Sequence, residues 1–216
     1  MIADAEQCRL CNCHTETHRL LSDESVYYNC HNCGLIFQKR EQLPHYFEEK
    51  KRYLEHNNDV LRQDYLNYLK ESTKRIFELP ISKKSLLDYG CGPAKGLEHI
   101  WSKDFEYVAS FDPIFHKLEN FDVKSFDVIC CVEVIEHFYS PATSFEKIDS
   151  LLSKNGFVLF RTEFLDEMCK LDNWWYRKDP THVCFYNSQT WKYIEKKFSW
   201  KLVLEEDSRY AIFQKS

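Results

Sequence analysis

The sequence has no run of about 18 or more apolar residues, so no segment of it is expected to span a membrane. Met1–Leu10 holds no apolar stretch, so no secretory leader is expected. Positive charge is not in excess. Lys and Arg number 29 against 34 Asp and Glu, a net charge of −5. No global basic field therefore favours a nucleic-acid partner. Internal repeats and low-complexity linkers are likewise missing. What is present fits one ordinary domain with a small appendage: 216 residues, 44% of them hydrophobic, enough for a real core. The ten cysteines do not read as disulfides. Four of them stand in paired C-x2-C units, and with no leader the expected setting is metal binding in a reducing cytosol.

Those pairs are Cys8-Arg9-Leu10-Cys11 and Cys30-His31-Asn32-Cys33, with 18 residues between them. Each knuckle puts two thiolates on a tight turn, and two knuckles complete a tetrahedron. The spacing predicts a structural zinc held by Cys8, Cys11, Cys30 and Cys33 in a ribbon-type module. Four thiolates leave no open position for catalysis. Cys13, His14 and His31 are near enough to be alternative ligands and read as bystanders. Val26-Tyr27-Tyr28 and Gly34–Phe37 predict strands around the second knuckle.

A charged helix is expected over Gln42–Lys51, after a break at Pro44. His56-Asn57-Asn58-Asp59 reads as a loop and N-cap, or alternatively as a lid over a ligand. Leu61, Tyr65, Leu69, Ile76 and Phe77 predict a long amphipathic helix ending before Pro80.

The chain is organised around Leu86-Leu87-Asp88-Tyr89-Gly90-Cys91-Gly92-Pro93. A short apolar strand runs into two glycines, and a helix follows over Ala94–Trp101. Glycine permits the tight turn and close ligand approach, and the helix start supplies free N–H groups. The spacing Gly90-x-Gly92-x-x-x-Gly96 does not fit the dinucleotide pattern G-x-G-x-x-G. The acid at the strand end suits a ligand with a cationic amine better than a pyrophosphate. Asp88-x-Gly90-x-Gly92 resembles the first motif of the class I S-adenosylmethionine (SAM) methyltransferases, with Ala94 in place of the third glycine.

The resemblance extends over about residues 60–216. Tyr107–Pro113 predicts the second strand, and Asp112 lies 24 residues beyond Asp88. The family resemblance gives Asp112, with Pro113 beside it, the ribose hydroxyls. Phe126–Phe138, with its Val134-Ile135-Glu136-His137 run, is similar to the family's fourth-strand motif. That implies a cofactor-proximal place for Cys131 and Glu133 and a place near the active site for His137. A packing or capping role is the alternative for His137. Only 14 residues separate Asp112 from Asp127, where the family fits a helix, a third strand and a loop. The helix is expected to be missing or reduced to a turn. The third strand is expected to be short, around residues 117–121, and no adenine-binding acid is assigned. Pro141–Leu152 predicts a helix, Asn155-Gly156 a turn and Phe157–Thr162 the fifth strand. Trp200–Glu205 and Tyr210–Gln214 predict a terminal antiparallel hairpin, which separates this sheet from an all-parallel dinucleotide fold.

Between the fifth strand and the last helix lies Asp172–Tyr186, dense in aromatic and titratable side chains. Loops at the carboxyl edge of an open α/β sheet hold ligands. The insert is expected to form the acceptor pocket. His182 would act as base, Tyr176 would face the methyl group, and aromatic walls would face the methylsulfonium. Alternatively its aromatics cap the core and His182 bonds a backbone carbonyl. The whole chain resembles bacterial methyltransferase-domain proteins with an N-terminal zinc-binding segment and an Asp-Pro-Thr-His-Val signature. The fold expected is α/β: a Rossmann-like class I methyltransferase sheet with a terminal antiparallel hairpin, plus a small zinc ribbon. The expected division is a zinc module over 1–40, a helical connection over 41–80 and a SAM-binding domain over 81–216. The expected protein is a cytoplasmic SAM-dependent methyltransferase acting on a small molecule. An RNA or protein methyltransferase gripping its substrate with the ribbon, or an inactive SAM-binding adaptor, are the alternatives.

Overall fold

A computed structural model describes residues 5–55, 58–117, 125–165 and 167–216. The first segment forms short strands β1 (Glu6–Gln7), β2 (His14–Thr15), β3 (His18–Leu20), β4 (Val26–Asn29) and β5 (Ile36–Gln38). Helices α1 (Tyr46–Glu55) and α2 (Gln63–Thr73) follow, α2 running on as a 3-10 turn over Lys74–Glu78. Next come β6 (Ser85–Tyr89), α3 (Gly96–Trp101), β7 (Tyr107–Phe111), β8 (Phe126–Val132), α4 (Pro141–Leu151) and β9 (Leu152–Arg161). The chain ends with β10 (Cys184–Phe185), α5 (Ser188–Phe198), β11 (Trp200–Glu206) and β12 (Tyr210–Lys215).

The main sheet has six strands in the order β11-β12-β9-β8-β6-β7. β7, β6, β8 and β9 run parallel, and β12 and β11 close the edge antiparallel, so the terminal hairpin is as expected. Both faces are covered, which is why these strands are nearly continuously apolar. Alternate residues go to opposite layers. Ile129, Cys131, Val158 and Phe160 join Phe145, Trp191 and Ile194 of α4 and α5, together with Leu35 and Phe37 of the N-terminal module. Val128, Cys130, Phe157 and Leu159 join Leu69, Leu97 and Trp101 on the α2–α3 side. Gly96 allows that second layer to close, because a Cβ there would stand 2.2 Å from Leu69 Cδ1.

Several expectations are refined. The charged helix starts at Tyr46, beyond Pro44, with a 3-10 turn over Arg40–Gln42 before it. Asp59 accepts Leu61 N–H at 2.9 Å as a turn, whereas α2 itself begins at Gln63 with no side-chain cap. His56 and Asn57 lie outside the described residues. So does nearly all of the segment expected to carry the third strand. Up to Lys117 the chain makes only a turn after β7, closed by a bridge between Asp112 and His116. Asn155-Gly156 does not separate α4 from a later strand. It lies inside β9 as a bulge, with Asn155 at φ 60°, and the register beside it jumps from Phe126–Leu152 to Val128–Phe157.

The insert does something no local pattern announces. β10 pairs antiparallel with β5, Cys184 opposite Phe37 and Phe185 opposite Ile36. The N-terminal sheet is thereby four-stranded, in the order β10-β5-β4-β3. A third apolar cluster seals this join, with Leu21, Tyr27 and Ile36 from the module, Leu165 and Leu171 from the chain just before the insert, and Tyr176 and Phe185 from the insert itself. Arg9, buried in the first knuckle, donates to the carbonyls of Val183 at 3.0 Å and Tyr139 at 3.2 Å.

Candidate active site

A cavity of about 950 Å³ opens at the carboxyl ends of β6, β7 and β8. Asp88, Gly90 and Gly92 form one end with Asp112 and Pro113, and α1 and α2 contribute Glu49, Tyr53, Tyr65 and Tyr68 to its walls. Glu133, His137, Trp175, Tyr176 and His182 lie on its lining as well. One cavity therefore contains the expected acceptor residues and the expected cofactor residues other than Cys131.

At the glycine end, Gly90 and Gly92 both take positive φ, 82° and 59°. Their reasons differ. A Cβ on Gly90 would stand 2.5 Å from the Val134 methyls, so Gly90 lets the turn after β8 close against it. A Cβ on Gly92 would meet nothing nearer than Asn58 Nδ2 at 4.0 Å, since that side of the residue is open space. Gly92→Val is therefore expected to leave the fold intact apart from about 1–2 kcal/mol of left-handed backbone strain, while blocking the cavity. Calorimetry with SAM should show binding lost by Gly92→Val at a melting temperature lowered by only about 2–8 °C. Unchanged affinity would remove this turn from the cofactor site.

Asp112 is buried, and its carboxylate organises the loop around it. Oδ2 accepts Gly92 N–H at 3.0 Å, and Oδ1 accepts Ile114 N–H at 2.8 Å and Phe115 N–H at 3.1 Å. Asp112 thus ties the glycine turn to the end of β7, leaving Oδ2 the less occupied oxygen. Asp88 accepts Leu97 N–H at 3.2 Å at the start of α3. Burial pushes its carboxyl up to about 7, partly opposed by that N–H, with Asp112 and Glu98 adding repulsion.

The sign of the pH effect follows. An Asp raised above its unfolded value holds its proton in the folded state between about pH 4 and 7, where the unfolded chain has lost it. Folding stability attributable to Asp88 is thus greatest at low pH and falls as pH rises through that window. Asp88→Asn removes this dependence. The melting temperature of Asp88→Asn minus that of the parent should therefore rise from about pH 4 to about pH 7. A flat difference would show that Asp88 is not perturbed by burial.

At the other end, Glu133 sits just beyond β8 with φ at 54°, a left-handed backbone that is rare for a non-glycine residue and found preferentially at functional sites. Its Oε1 accepts from Tyr68 OH at 3.0 Å and pairs with Arg161; its Oε2 accepts from Tyr176 OH at 2.7 Å. Arg161 also reaches Glu163 at 3.4 Å. Glu133 is thus a pinned carboxylate on the cavity wall. Tyr176 OH also contacts Glu136 Oε1 and Thr162 Oγ1. Burial pushes the Glu136 carboxyl up to about 7 and the Tyr176 phenol well above its ordinary range.

His137 and His182 stand with ring centroids 4.7 Å apart. His182 Nδ1 lies 2.7 Å from the Tyr176 carbonyl oxygen, and His137 Nδ1 lies 3.0 Å from that of Thr181. A carbonyl only accepts, so both Nδ1 atoms carry the proton, and Nε2 is the lone-pair nitrogen of each neutral ring. His182 therefore does both things the sequence offered as alternatives: it bonds a backbone carbonyl, and it lines the cavity.

One expectation is corrected. Cys131 is fully buried and does not line the cavity. The two-residue period of β8 turns Cys131 into the α4–α5 layer and Val132 to the opposite face, on the cavity lining; Glu133 lies beyond the strand, where its left-handed backbone brings it to the cavity. Glu136, fully buried beside Tyr176, was not assigned a role from the sequence, although its neighbour His137 was. Tyr68, Arg161 and α1 were also missed, because they reach the cavity only through tertiary packing.

In the N-terminal module, one ligand atom from each of Cys8, Cys11, Cys30 and Cys33 lies within 4.8 Å of the others. Cys8 Sγ and Cys33 Sγ are 3.5 Å apart, and Cys11 Sγ and Cys30 Sγ 3.3 Å, all as free thiols. The set could hold a metal ion. Cys13, His14 and His31 are outside it.

Known proteins bear out the class. The sequence profile of the methyltransferase domain family matches residues 60–205, and the chain belongs to that family. Its fold is similar to that of an O-methyltransferase family protein from Burkholderia thailandensis, with a TM-score of 0.56 at 12% identity, covering 81% of this chain and 65% of that one. A SAM-dependent methyltransferase from Archaeoglobus fulgidus gives a TM-score of 0.50 at 14% identity, covering 80% and 100%. A protein from Pyrococcus horikoshii gives 0.54 at 12%, covering 77% and 99%. No curated protein is similar enough in sequence to match. The chain is thus a member of the methyltransferase domain family with the Rossmann-like fold of these neighbours. Among the described residues no helix is long and apolar enough to cross a membrane.

Proposed function

We propose that the chain transfers the methyl group of SAM to an oxygen or nitrogen of a small molecule. The observation that carries this is the single cavity holding the Asp88–Gly92 turn and the His137–His182 pair. Its volume of about 950 Å³ is at the upper end of what encloses small ligands, as a site for a cofactor and a second compact molecule requires. Asp88, Gly90, Gly92, Asp112 and Pro113 would hold SAM, Asp88 toward its amine and Asp112 toward its ribose. SAM supplies a methyl group on a sulfonium. The chain's own work is to place the nucleophile in line, exclude water and take up the proton. Glu133 is held by Arg161, Tyr68 and Tyr176, so it serves as a fixed wall. His137 and His182 present lone-pair nitrogens, the groups suited to an O–H or N–H proton. Tyr176, whose phenol burial keeps protonated, would position the acceptor.

The four-cysteine set fits zinc. Tetrahedral Zn–S bonds of about 2.3 Å hold sulfurs about 3.8 Å apart, close to the 3.3 and 3.5 Å observed. Such an ion would be structural, and reduced thiolates of this kind suit the cytosol.

Labelled SAM added to cell extract with the purified protein tests the acceptor class. Label is expected in the small-molecule fraction. Label confined to RNA or protein would transfer the reading to a macromolecular substrate, and no transfer to any fraction would favour the adaptor.

A further inference from the structure

Glu136, His137 and His182 hold a feature that proton transfer alone does not use. One ligand atom from each lies within 4.8 Å of the others, and His137 Nε2 is 3.9 Å from Glu136 Oε1. Resting on the reading of this end as the acceptor end, we infer that Glu136, His137 and His182 form a site for a divalent first-row cation that binds the acceptor's oxygen.

Three observations support it. First, Glu136 is fully buried, and its Oε2 has no hydrogen-bond partner among the described residues. A buried acceptor-only atom is costly unless something positive or protonated meets it. Among the described residues the ion pairs of Arg161 are with Glu133 and Glu163 and not with Glu136. Second, both imidazoles carry the arrangement expected of metal ligands. Each donates its Nδ1–H to a backbone carbonyl, Tyr176 for His182 and Thr181 for His137, which fixes the ring and leaves Nε2 as the donor atom. Third, the polar balance around Tyr176 OH is short of protons. One hydroxyl proton faces two carboxylate oxygens, Glu133 Oε2 and Glu136 Oε1. A cation against the Glu136 carboxylate would relieve that excess of negative charge.

Two imidazoles and one carboxylate form a ligand set that suits manganese, iron, nickel or zinc and leaves positions open on one side. His137 and His182 line the cavity, so the open side faces the space where the methylsulfonium would lie. A cation held here would bind an acceptor hydroxyl and lower its pKa. The O–H bond breaks and its proton leaves to solvent. The oxygen lone pair forms the O–CH3 bond as the S–CH3 bond breaks, and the sulfonium becomes a neutral thioether. Acceptor and SAM thus give methyl ether, S-adenosylhomocysteine and one proton.

Manganese(II) is the probe of choice, because it favours nitrogen and oxygen ligands and does not compete for four thiolates. Titrated into the full-length protein and followed by electron paramagnetic resonance, it is expected to bind at one equivalent per chain. Glu136→Gln and His137→Gln should each weaken that binding by at least roughly tenfold, the lower end of what loss of an outer-shell partner alone costs. Glu136 is fully buried and its variant risks misfolding, whereas His137 is only partly buried. The zinc content of the cysteine set reports that each variant is folded. Absence of manganese binding by the parent protein, or equal binding by folded His137→Gln, overturns the inference. If manganese binds as expected while labelled SAM modifies no small molecule, the acceptor assignment fails and the cation site stands.

Discussion

Protein carrying Cys30→Ser is expected to lose the proposed zinc, several kcal/mol of its stability and its methyl transfer together. The loss of stability follows from the size of the module. Five strands of two to four residues cannot bury enough apolar surface to offset their own ordering entropy. A closed set of thiolates supplies the deficit, and metal-binding free energy in such modules is folding free energy. Several kcal/mol is a large share of the roughly 5–15 kcal/mol that holds a typical domain together. The loss of activity follows from the connections. β5 runs from the second knuckle into its pairing with β10, and Gln38 N–H donates to the Val183 carbonyl at 3.0 Å. Val183 N–H in turn donates to the Glu136 carbonyl at 2.9 Å. Arg9 of the first knuckle holds the Val183 carbonyl from the other side. His182 is therefore fastened at Val183 to the four-cysteine module, whereas Asp88 stands on β6 and Asp112 directly after β7, strands that pair only within the main sheet. The Cys30→Ser protein should thus lack turnover, also with manganese(II) added, while SAM still binds. Metal analysis, a thermal melt, a turnover assay and SAM calorimetry on that one variant check each part. Retained turnover in zinc-free protein would show that the module does not hold the acceptor end.

How much of this was legible in the sequence depends on the range over which each feature is encoded. The glycine turn, the acid at the end of β6 and the acid at the end of β7 are local signals, and the structure brings all of them to one cavity. The thiolate knuckles are equally local, since spacing within and between pairs carries the information. β10 is the opposite case. Residues 184–185 make a strand only because Ile36 and Phe37 are there to receive them, almost 150 positions earlier, and two residues carry no period. Glu133 shows a third kind of limit. Its residue type marked it as polar at a strand end, but its left-handed backbone and its pairing with Arg161 belong to the assembled sheet. Cys131 was misplaced by one residue in effect: the strand was right, and the side of the sheet was wrong. Residues on both faces of a buried strand are apolar, so alternation gives no cue to which face meets the ligand.

His182→Ala is expected to lower methyl transfer by about 10²–10⁴-fold, the usual worth of a positioned proton acceptor, with SAM affinity held. The ring is locked by its hydrogen bond to Tyr176 and by packing on the rings of Tyr176 at 4.2 Å and His137 at 4.7 Å. It therefore meets the acceptor without reorganising. Whether it takes the proton itself or holds a cation that acidifies the hydroxyl, the interaction develops in the transition state, so turnover falls more than substrate affinity. Trp175 is the useful contrast. It stands on the cavity lining with 62% of its surface exposed, packs edge-on against the Tyr176 ring and, among the described residues, makes no hydrogen bond to a titratable group, so Trp175→Ala should raise the acceptor's KM and leave kcat nearly unchanged. A thiolate or activated carbon acceptor needs less help in losing a proton. It reverses the pattern, with a small effect of His182→Ala and the larger one at Trp175. Label transfer from SAM to the small-molecule fraction, measured for both variants over a range of extract concentrations, separates the two chemistries. A loss well below tenfold for His182→Ala, with Trp175→Ala equally mild, would reduce the Trp175–His182 segment to a structural wall and place the acceptor elsewhere in the cavity.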